Sequence, residues 1–158
     1  MSVFPTKILL ATDGSEEAEL AARTAIEMTE KTGSELHVVY AQPIPLRVDP
    51  SPDDPFLDII GPYASEVIKD VKEKAQRLLD AQVEWVRAAG GSVAQAHLKI
   101  GGPIEEIVAL AEETGAGLIL LGSRGLGGVG RALMGSVSES VVRHAHCPVL
   151  VLRGARDR

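Results

Sequence analysis

Between Gly122 and Ser136 the chain reads GSRGLGGVGRALMGS, six glycines in fifteen residues, directly after the apolar run Leu118–Leu121. Glycine admits positive φ and lets a backbone approach a ligand closely, and a helix N-terminus presents unpaired N–H groups with a favourable dipole. A glycine-rich segment between a strand and a helix opening at Ser136 therefore has the chemistry to wrap phosphate groups. A second polar turn, Asp13-Gly14-Ser15, ends the apolar run Lys7–Thr12. Asp13 either faces a ligand or caps the following helix, since Asp13-Gly14-Ser15-Glu16 has the form of a capping box; Ser15 is the alternative cap. Ser136 with Glu139 has that form too, and a weakly self-capped helix can still donate N–H groups to phosphate. Arg124 and Arg131 are either phosphate partners or solvated loop charges.

Two phosphate-loop templates fail on this segment. A Walker A loop needs G-x4-G-K-[ST], and Gly130–Ser136 supplies the glycines and the serine without the lysine. A dinucleotide fingerprint G-x-G-x-x-G is literally present at Gly125, Gly127 and Gly130. It follows the wrong strand, its helix starts too late, and the place of the ribose-binding acid is taken by the apolar run Val149–Leu152. His144, His146 and Cys147 crowd three potential ligands into four residues without the usual zinc spacing. The plainer reading is a helix end with histidines at its negative pole and a small buried thiol before a strand. No Ser-His-Asp set or carboxylate pair accompanies the glycine segment.

The elements around these residues alternate. Short apolar runs at Lys7–Thr12, Leu36–Tyr40, Val93–Lys99, Leu118–Leu121 and Val149–Leu152 read as strands. Between them lie helical patterns. The first runs from Ser15 to about Thr32, with Ala18, Ala21, Ala25 and Met28 on one face, Glu16 and Glu17 in the first turn and Gly33 as the stop. The second runs from about Ala64 to Ala89 on a stripe of Val67, Val71, Ala75, Leu78, Leu79, Val83 and Val86, with Trp85 beside it and Gly90-Gly91 after it. The third opens at Pro103 and turns Ile104, Ile107, Val108 and Ala111 inward; the fourth is Ser136–Ala145. Gln42–Pro62 holds six of the nine prolines and reads as a long loop, either a lid or a plain insertion; Gly154–Arg158 reads as a frayed tail. Parallel connections need crossovers, so the expectation is an α/β, doubly wound open parallel five-stranded sheet with helices on both faces. Ligands of such sheets bind beyond the strands' carboxyl ends, where strand order reverses, and both polar segments follow strand ends.

Composition sets bounds on this reading. The 158 residues fit one domain, 1–158, with a core built from aliphatic residues, aromatics being 3%. The net charge of −6 argues against non-specific nucleic-acid binding, which needs clustered cations. Cys147 is the only cysteine, no run approaches the ~18 apolar residues of a membrane span, and the N-terminus lacks a signal-peptide pattern. A cytoplasmic protein is expected.

A third template fits. Gly122-x2-Gly125-x9-Gly135-Ser136 resembles the ATP-binding signature of the universal stress protein family, and the likeness runs from KILLATDGS through LHVVYA and GGPIEEIV to ILLGSRG and HCPVLVL. The resemblance implies a Rossmann-like, adenine nucleotide alpha hydrolase-like sheet holding ATP (or AMP or ADP) across the switch point, with Mg2+ bound through the phosphates. It places Asp13 near the nucleoside or the waters of the metal, and Val38 against adenine through its backbone. Gly122 and Gly125 approach ribose and phosphates, while Gly135, Ser136 and Val137 hold phosphates at the fourth helix. It further implies a homodimer through Val149–Leu152 and stress signalling through an unknown protein partner. Lacking a catalytic lysine and an evident general base, the chain is expected to hold nucleotide rather than turn it over rapidly. Slow ATP hydrolysis, autophosphorylation on Ser123, Ser136 or Ser138, or a nucleotide-independent dimeric scaffold are the alternatives.

Overall fold

The structure is a computed structural model describing residues 6–44, 56–124 and 134–154, with the side chains of residues 56–60 outside the description. Its elements are β1 (Lys7–Ala11), α1 (Glu16–Thr32), β2 (Glu35–Gln42), α2 (Phe56–Ala88), β3 (Val93–Ile100), α3 (Pro103–Thr114), β4 (Leu118–Gly122), α4 (Ser136–His144) and β5 (Val149–Leu152). The five strands form one sheet in the order β3-β2-β1-β4-β5, every pair parallel. The doubly wound α/β architecture is therefore present, and strand order reverses between β1 and β4.

Strand periodicity divides the core into two layers. Ile8 and Leu10 point one way with Leu36, Val38, Leu118 and Leu120, meeting Ala21, Ala25 and Ile26 of α1 and Leu79, Val83 and Val86 of α2. Leu9 and Ala11 point the other way with Val39, Ile119 and Leu121, meeting Ile107 and Leu110 of α3 and Val141 of α4. Continuous apolar runs such as KILLA are what a strand covered on both faces requires. Alanines line the inner face of α1, so its axis lies close to the sheet; Ser15 caps it, and Gly33 ends it with the left-handed φ of 71°. Trp85 packs at the margin of the first layer under the Arg23 guanidinium, 5.3 Å from the ring centroid.

Two expectations change. Helix α2 begins at Phe56, not near Ala64, so Phe56–Pro62 belongs to a helix with Pro62 inside it. Proline density argues against helix because each ring removes one N–H and crowds the carbonyl four residues back. Here one proline interrupts one position, and Gly61–Tyr63 are exposed, so no tertiary packing is displaced around the ring. At the other end of the expected loop Gln42 is the last residue of β2 and residues 43–44 are irregular; 45–55 and the tail residues 155–158 lie outside the described residues. The apolar stripe of α2 is also buried only in its second half: Ala75, Leu79, Val83 and Val86 are enclosed, whereas Val67 is 40% exposed.

Candidate functional site

The crevice at the β1/β4 reversal is built from three chain segments. The first leaves β1. Thr12 is buried, its amide donating to the Val39 carbonyl at 3.0 Å and its hydroxyl to Gln82 Oε1 of α2 at 3.1 Å. Asp13 is not the helix cap. Its Oδ1 accepts the Ser15 amide at 3.0 Å, an Asx turn that holds Gly14 at φ 78°, and Ser15 Oγ then accepts the Ala18 amide at 3.2 Å as the true N-cap. Using its side chain on the turn keeps the Asp13 carboxylate at the strand exit. There its charge, after burial, helps push the Tyr40 phenol above its usual range.

The second segment leaves β4. A Cβ on Gly122 would stand 2.8 Å from the carbonyl carbon of Glu17 and 2.9 Å from the Ala18 nitrogen. The absence of a side chain here therefore lets α1 lie against β4, a packing role the sequence reading assigned to ligand approach. Ser123 is buried, and its hydroxyl donates to the Glu17 carboxylate, which also accepts the Arg124 amide at 2.7 Å and the Gly154 amide at 3.3 Å. Burial alone would raise the Glu17 pKa. Hydrogen bonds from Ser123, Gly154 and Arg124, with the Arg124 charge, outweigh it and hold the carboxyl below its ordinary value. Ser15 Oγ, in addition, reaches the Arg124 carbonyl at 3.4 Å, joining the two strand exits directly.

The third segment enters α4. Gly135 is the N-cap, in extended geometry and without a side-chain cap hydrogen bond, and Ser136 is the first helical residue. The expected capping box does not form, because Ser136 sits one position too late and Glu139 instead pairs with Arg143 at 2.8 Å. The Gly135 amide donates to the Ser123 carbonyl at 2.6 Å, and the buried Ser138 hydroxyl reaches that carbonyl at 2.8 Å. These contacts close the base of the glycine-rich segment and bring the α4 N-terminus beside the β4 exit. An N-terminus without a side-chain acceptor offers its first-turn N–H groups and positive dipole end to an anion.

Asp13, Gly122, Gly135, Ser136 and Val137 thus lie on three segments that hydrogen bonds join at the β1 and β4 exits. Gly125, with Arg131, lies outside the described residues. Val38 is not on these segments. It is fully buried in the middle of β2, paired with Leu10 on one side and Ala96 on the other, four residues short of the strand's end at Gln42. The part of β2 that opens at the crevice end is Tyr40–Gln42, where the Tyr40 hydroxyl donates to Gln42 Oε1 at 2.7 Å. Of the serines weighed as phosphate acceptors, Ser123 and Ser138 are buried and hydrogen-bonded, and Ser136 is exposed. Sequence reasoning missed Glu17, Tyr40 and Gln82. Glu17 carried only a helix-dipole signal, and Gln82 reads as one polar residue on a long amphipathic helix.

Two other clusters stand apart. His37 on β2 and His97 on β3 stack with centroids 5.4 Å apart and Nδ1 to Nε2 at 3.2 Å. Among the described residues His37 Nε2 is buried without a hydrogen-bond partner, 3.5 Å from Glu35 Oε2. His97 is held below its usual pKa by burial, then by His37 and Lys99, against the opposing charge of Glu113. At the end of α4, His144 Nδ1 lies 2.8 Å from the Ser140 carbonyl, and His146 Nε2 lies 2.8 Å from Glu112 Oε1. Cys147 is half-buried against the second core layer, which raises its thiol pKa. Among the described residues no group of three or more His, Cys, Asp or Glu side chains is placed to hold a metal ion. Nor is any described helix long and apolar enough to cross a membrane.

The five-stranded parallel sheet, with polar strand exits at its switch point, defines an open doubly wound α/β protein of the kind that binds ligands at strand carboxyl ends. Residues 5–153 match the model of the universal stress protein family, and the chain belongs to that family. A universal stress protein of Methanocaldococcus jannaschii is 35% identical over 148 residues, covering 93% of this chain and 81% of that protein. The solved universal stress protein UspA from Lactobacillus plantarum superposes with a TM-score of 0.72 at 27% identity, over 94% of this chain and 97% of that one. Two more distant structures share the fold. One is an Arabidopsis thaliana family member with AMP bound, with a TM-score of 0.63 at 23% identity over 97% and 94% of the two chains. The other is a universal stress protein in complex with cAMP, with a TM-score of 0.58 at 22% identity over 94% and 96%.

Proposed function

We propose that this chain is a nucleotide-holding module whose crevice takes an adenine nucleotide, ATP or its AMP and ADP relatives. The observation that carries this reading is the α4 N-terminus. Capped by Gly135 without a side-chain acceptor, it is drawn by the Ser123 carbonyl to the β4 exit, beside the β1 exit that bears Asp13. Phosphates would be held by the first-turn amides of Ser136 and Val137 together with Gly135 and Gly125, and Asp13 would face the nucleoside or the waters of a phosphate-bound Mg2+. Mg2+ fits only as a passenger on the phosphates, since Asp13 alone does not make a protein metal site. The base would be met by β2 at its carboxyl end, Ala41–Gln42, because Val38 is enclosed by β1 and β3. The family members solved with AMP and with cAMP agree with this ligand class.

On this reading the protein acts in the cytoplasm as a single-domain homodimer, 1–158, that signals nucleotide occupancy to a protein partner in a stress response. Dimerisation through β5 is supported by its edge position and by its four apolar, half-buried residues, Val149–Leu152. An apolar edge of this kind favours a covering strand. Autophosphorylation, the enzymatic alternative, narrows to Ser136 because Ser123 and Ser138 are buried. Mass spectrometry of small molecules released from the purified, denatured protein tests the proposal. Stoichiometric adenine nucleotide is expected; an empty protein that shows no thermal shift with ATP and Mg2+ would overturn it.

A further inference from the structure

Glu17 is the second residue of α1, where a carboxylate needs only to face solvent to favour the helix dipole. Glu16 and Glu19 follow that pattern: Glu16 is exposed, and the Glu19 side chain is 44% exposed. The Glu17 side chain is only 16% exposed. One oxygen, Oε2, takes the Ser123 hydroxyl and the Arg124 amide, while Oε1 takes the Gly154 amide and lies 3.9 Å from Arg124 Nε. Ser123 and Arg124 leave β4 into the glycine-rich segment, and Gly154 lies two residues past the end of β5. Ser123 is itself bonded to both neighbours, its amide donating to the Leu152 carbonyl at 2.8 Å and its carbonyl accepting from Gly135. A carboxylate removed from water to this degree is costly unless several donors replace the lost hydration, and here three do.

We propose that Glu17 is a positioning residue that ties the base of the glycine-rich segment and the end of the last strand to α1 as one unit, so that nucleotide held at that segment acts on the β5 end. This rests on the nucleotide-holding reading for its ligand, though not for the tie itself. The two oxygens serve two different strand exits, so ordering one exit fixes the carboxylate for the other. By linkage, whatever pairs with β5 then acts back on the nucleotide site. Glu17→Gln keeps the side-chain volume but replaces one acceptor by an NH2 group. That group faces an amide donor at one exit, and the remaining oxygen, no longer charged, accepts more weakly at the other.

Amide hydrogen exchange read by NMR separates the tie from the ligand. In the ligand-free protein, Glu17→Gln is expected to speed exchange at both Arg124 and Gly154 about tenfold, the loss of a charge-assisted hydrogen bond, with Leu9 and Leu120 unchanged. Glu17→Asp keeps the charge but shortens the reach, and should protect one exit and not both. Adding ATP and Mg2+ to the parent should slow exchange at Gly154 about fivefold, and this response should vanish in Glu17→Gln. Unchanged Arg124 and Gly154 exchange in Glu17→Gln overturns the tie whether or not nucleotide binds. Nucleotide binding that leaves Gly154 unaltered in the parent overturns the coupling. Failure of nucleotide to bind the parent by equilibrium dialysis overturns the ligand and the coupling with it, while the ligand-free exchange still decides the tie.

Discussion

Replacing Gly122 by alanine should destabilise the fold through a contact that no local rotation can relieve. The added Cβ would lie 2.8 Å from both the carbonyl carbon and the Cβ of Glu17, and 2.9 Å from the Ala18 nitrogen. Carbon pairs rest at about 3.5–4.0 Å, so the two carbon contacts are short by roughly 0.7 Å or more, and two of the three contacts are with backbone. Helix α1 must then move away from β4. That opens the layer around Ala18, Ala21 and Ala22, each 2% exposed or less, and side chains this small cannot spread to fill the gap. Overpacking of this kind costs about 1–3 kcal/mol, which for a chain of this size lowers Tm by roughly 2–12 °C. Urea unfolding followed by circular dichroism gives the free energy, and calorimetry gives Tm. Gly115→Ala is the comparison, since nothing lies within 4 Å of its added Cβ and its cost is only that of a residue held at φ +68°. A Gly122→Ala protein within about 0.5 kcal/mol of the parent would refute the packing argument.

Four further outcomes follow from the same geometry. Ser15→Ala removes the α1 cap and should cost about 1 kcal/mol in urea unfolding. Leu79→Ala, at a side chain 1% exposed between α2 and the sheet, should cost about 2–5 kcal/mol by the same measurement. His97 sets a pH dependence. His97 binds protons less readily folded than unfolded, so stability is full above its ordinary value of 6.5 and falls as pH drops towards the lower folded value. Urea midpoints from about pH 7.5 to about pH 5 should show that fall, and His97→Gln should flatten it. On β5, the carbonyls of Pro148 and Leu152 accept from β4, so strand alternation turns the Val151 amide to the open edge. Val151→Pro should therefore abolish the proposed β5-paired dimer in sedimentation while leaving the monomer folded, as proline is tolerated where an edge N–H faces outward.

Much of the fold is legible because its signals are local. Apolar runs of strand length, the Ser15 and Gly33 caps, Pro103 at a helix start and glycines at helix ends each act within a few residues. Phe56–Pro62 escaped because proline spacing reports the cost of a helix and not what packs around the ring. The two polar segments of the crevice were also legible, since a strand exit followed by a helix N-terminus is a local pattern. The roles inside it were less so. Asp13 read as a ligand residue or as a cap until the structure gave the cap to Ser15, and nothing local to Gly122 announced that a helix backbone lies against it. Val38 is enclosed in the middle of β2, and a short strand-length run does not say which residue emerges from the sheet. Glu17 was invisible in its role because its partners lie 106, 107 and 137 residues away.

The central claim is that an adenine nucleotide sits where the β1 exit meets the α4 N-terminus. Titrating isotope-labelled protein with ATP and Mg2+, and separately with AMP, tests it most directly by following backbone amide shifts. Saturable shifts at Gly14, Ser15, Gly135, Ser136 and Val137, with α3 undisturbed, are the result predicted. No saturable shift, or shifts confined to the far side of the sheet, would contradict it.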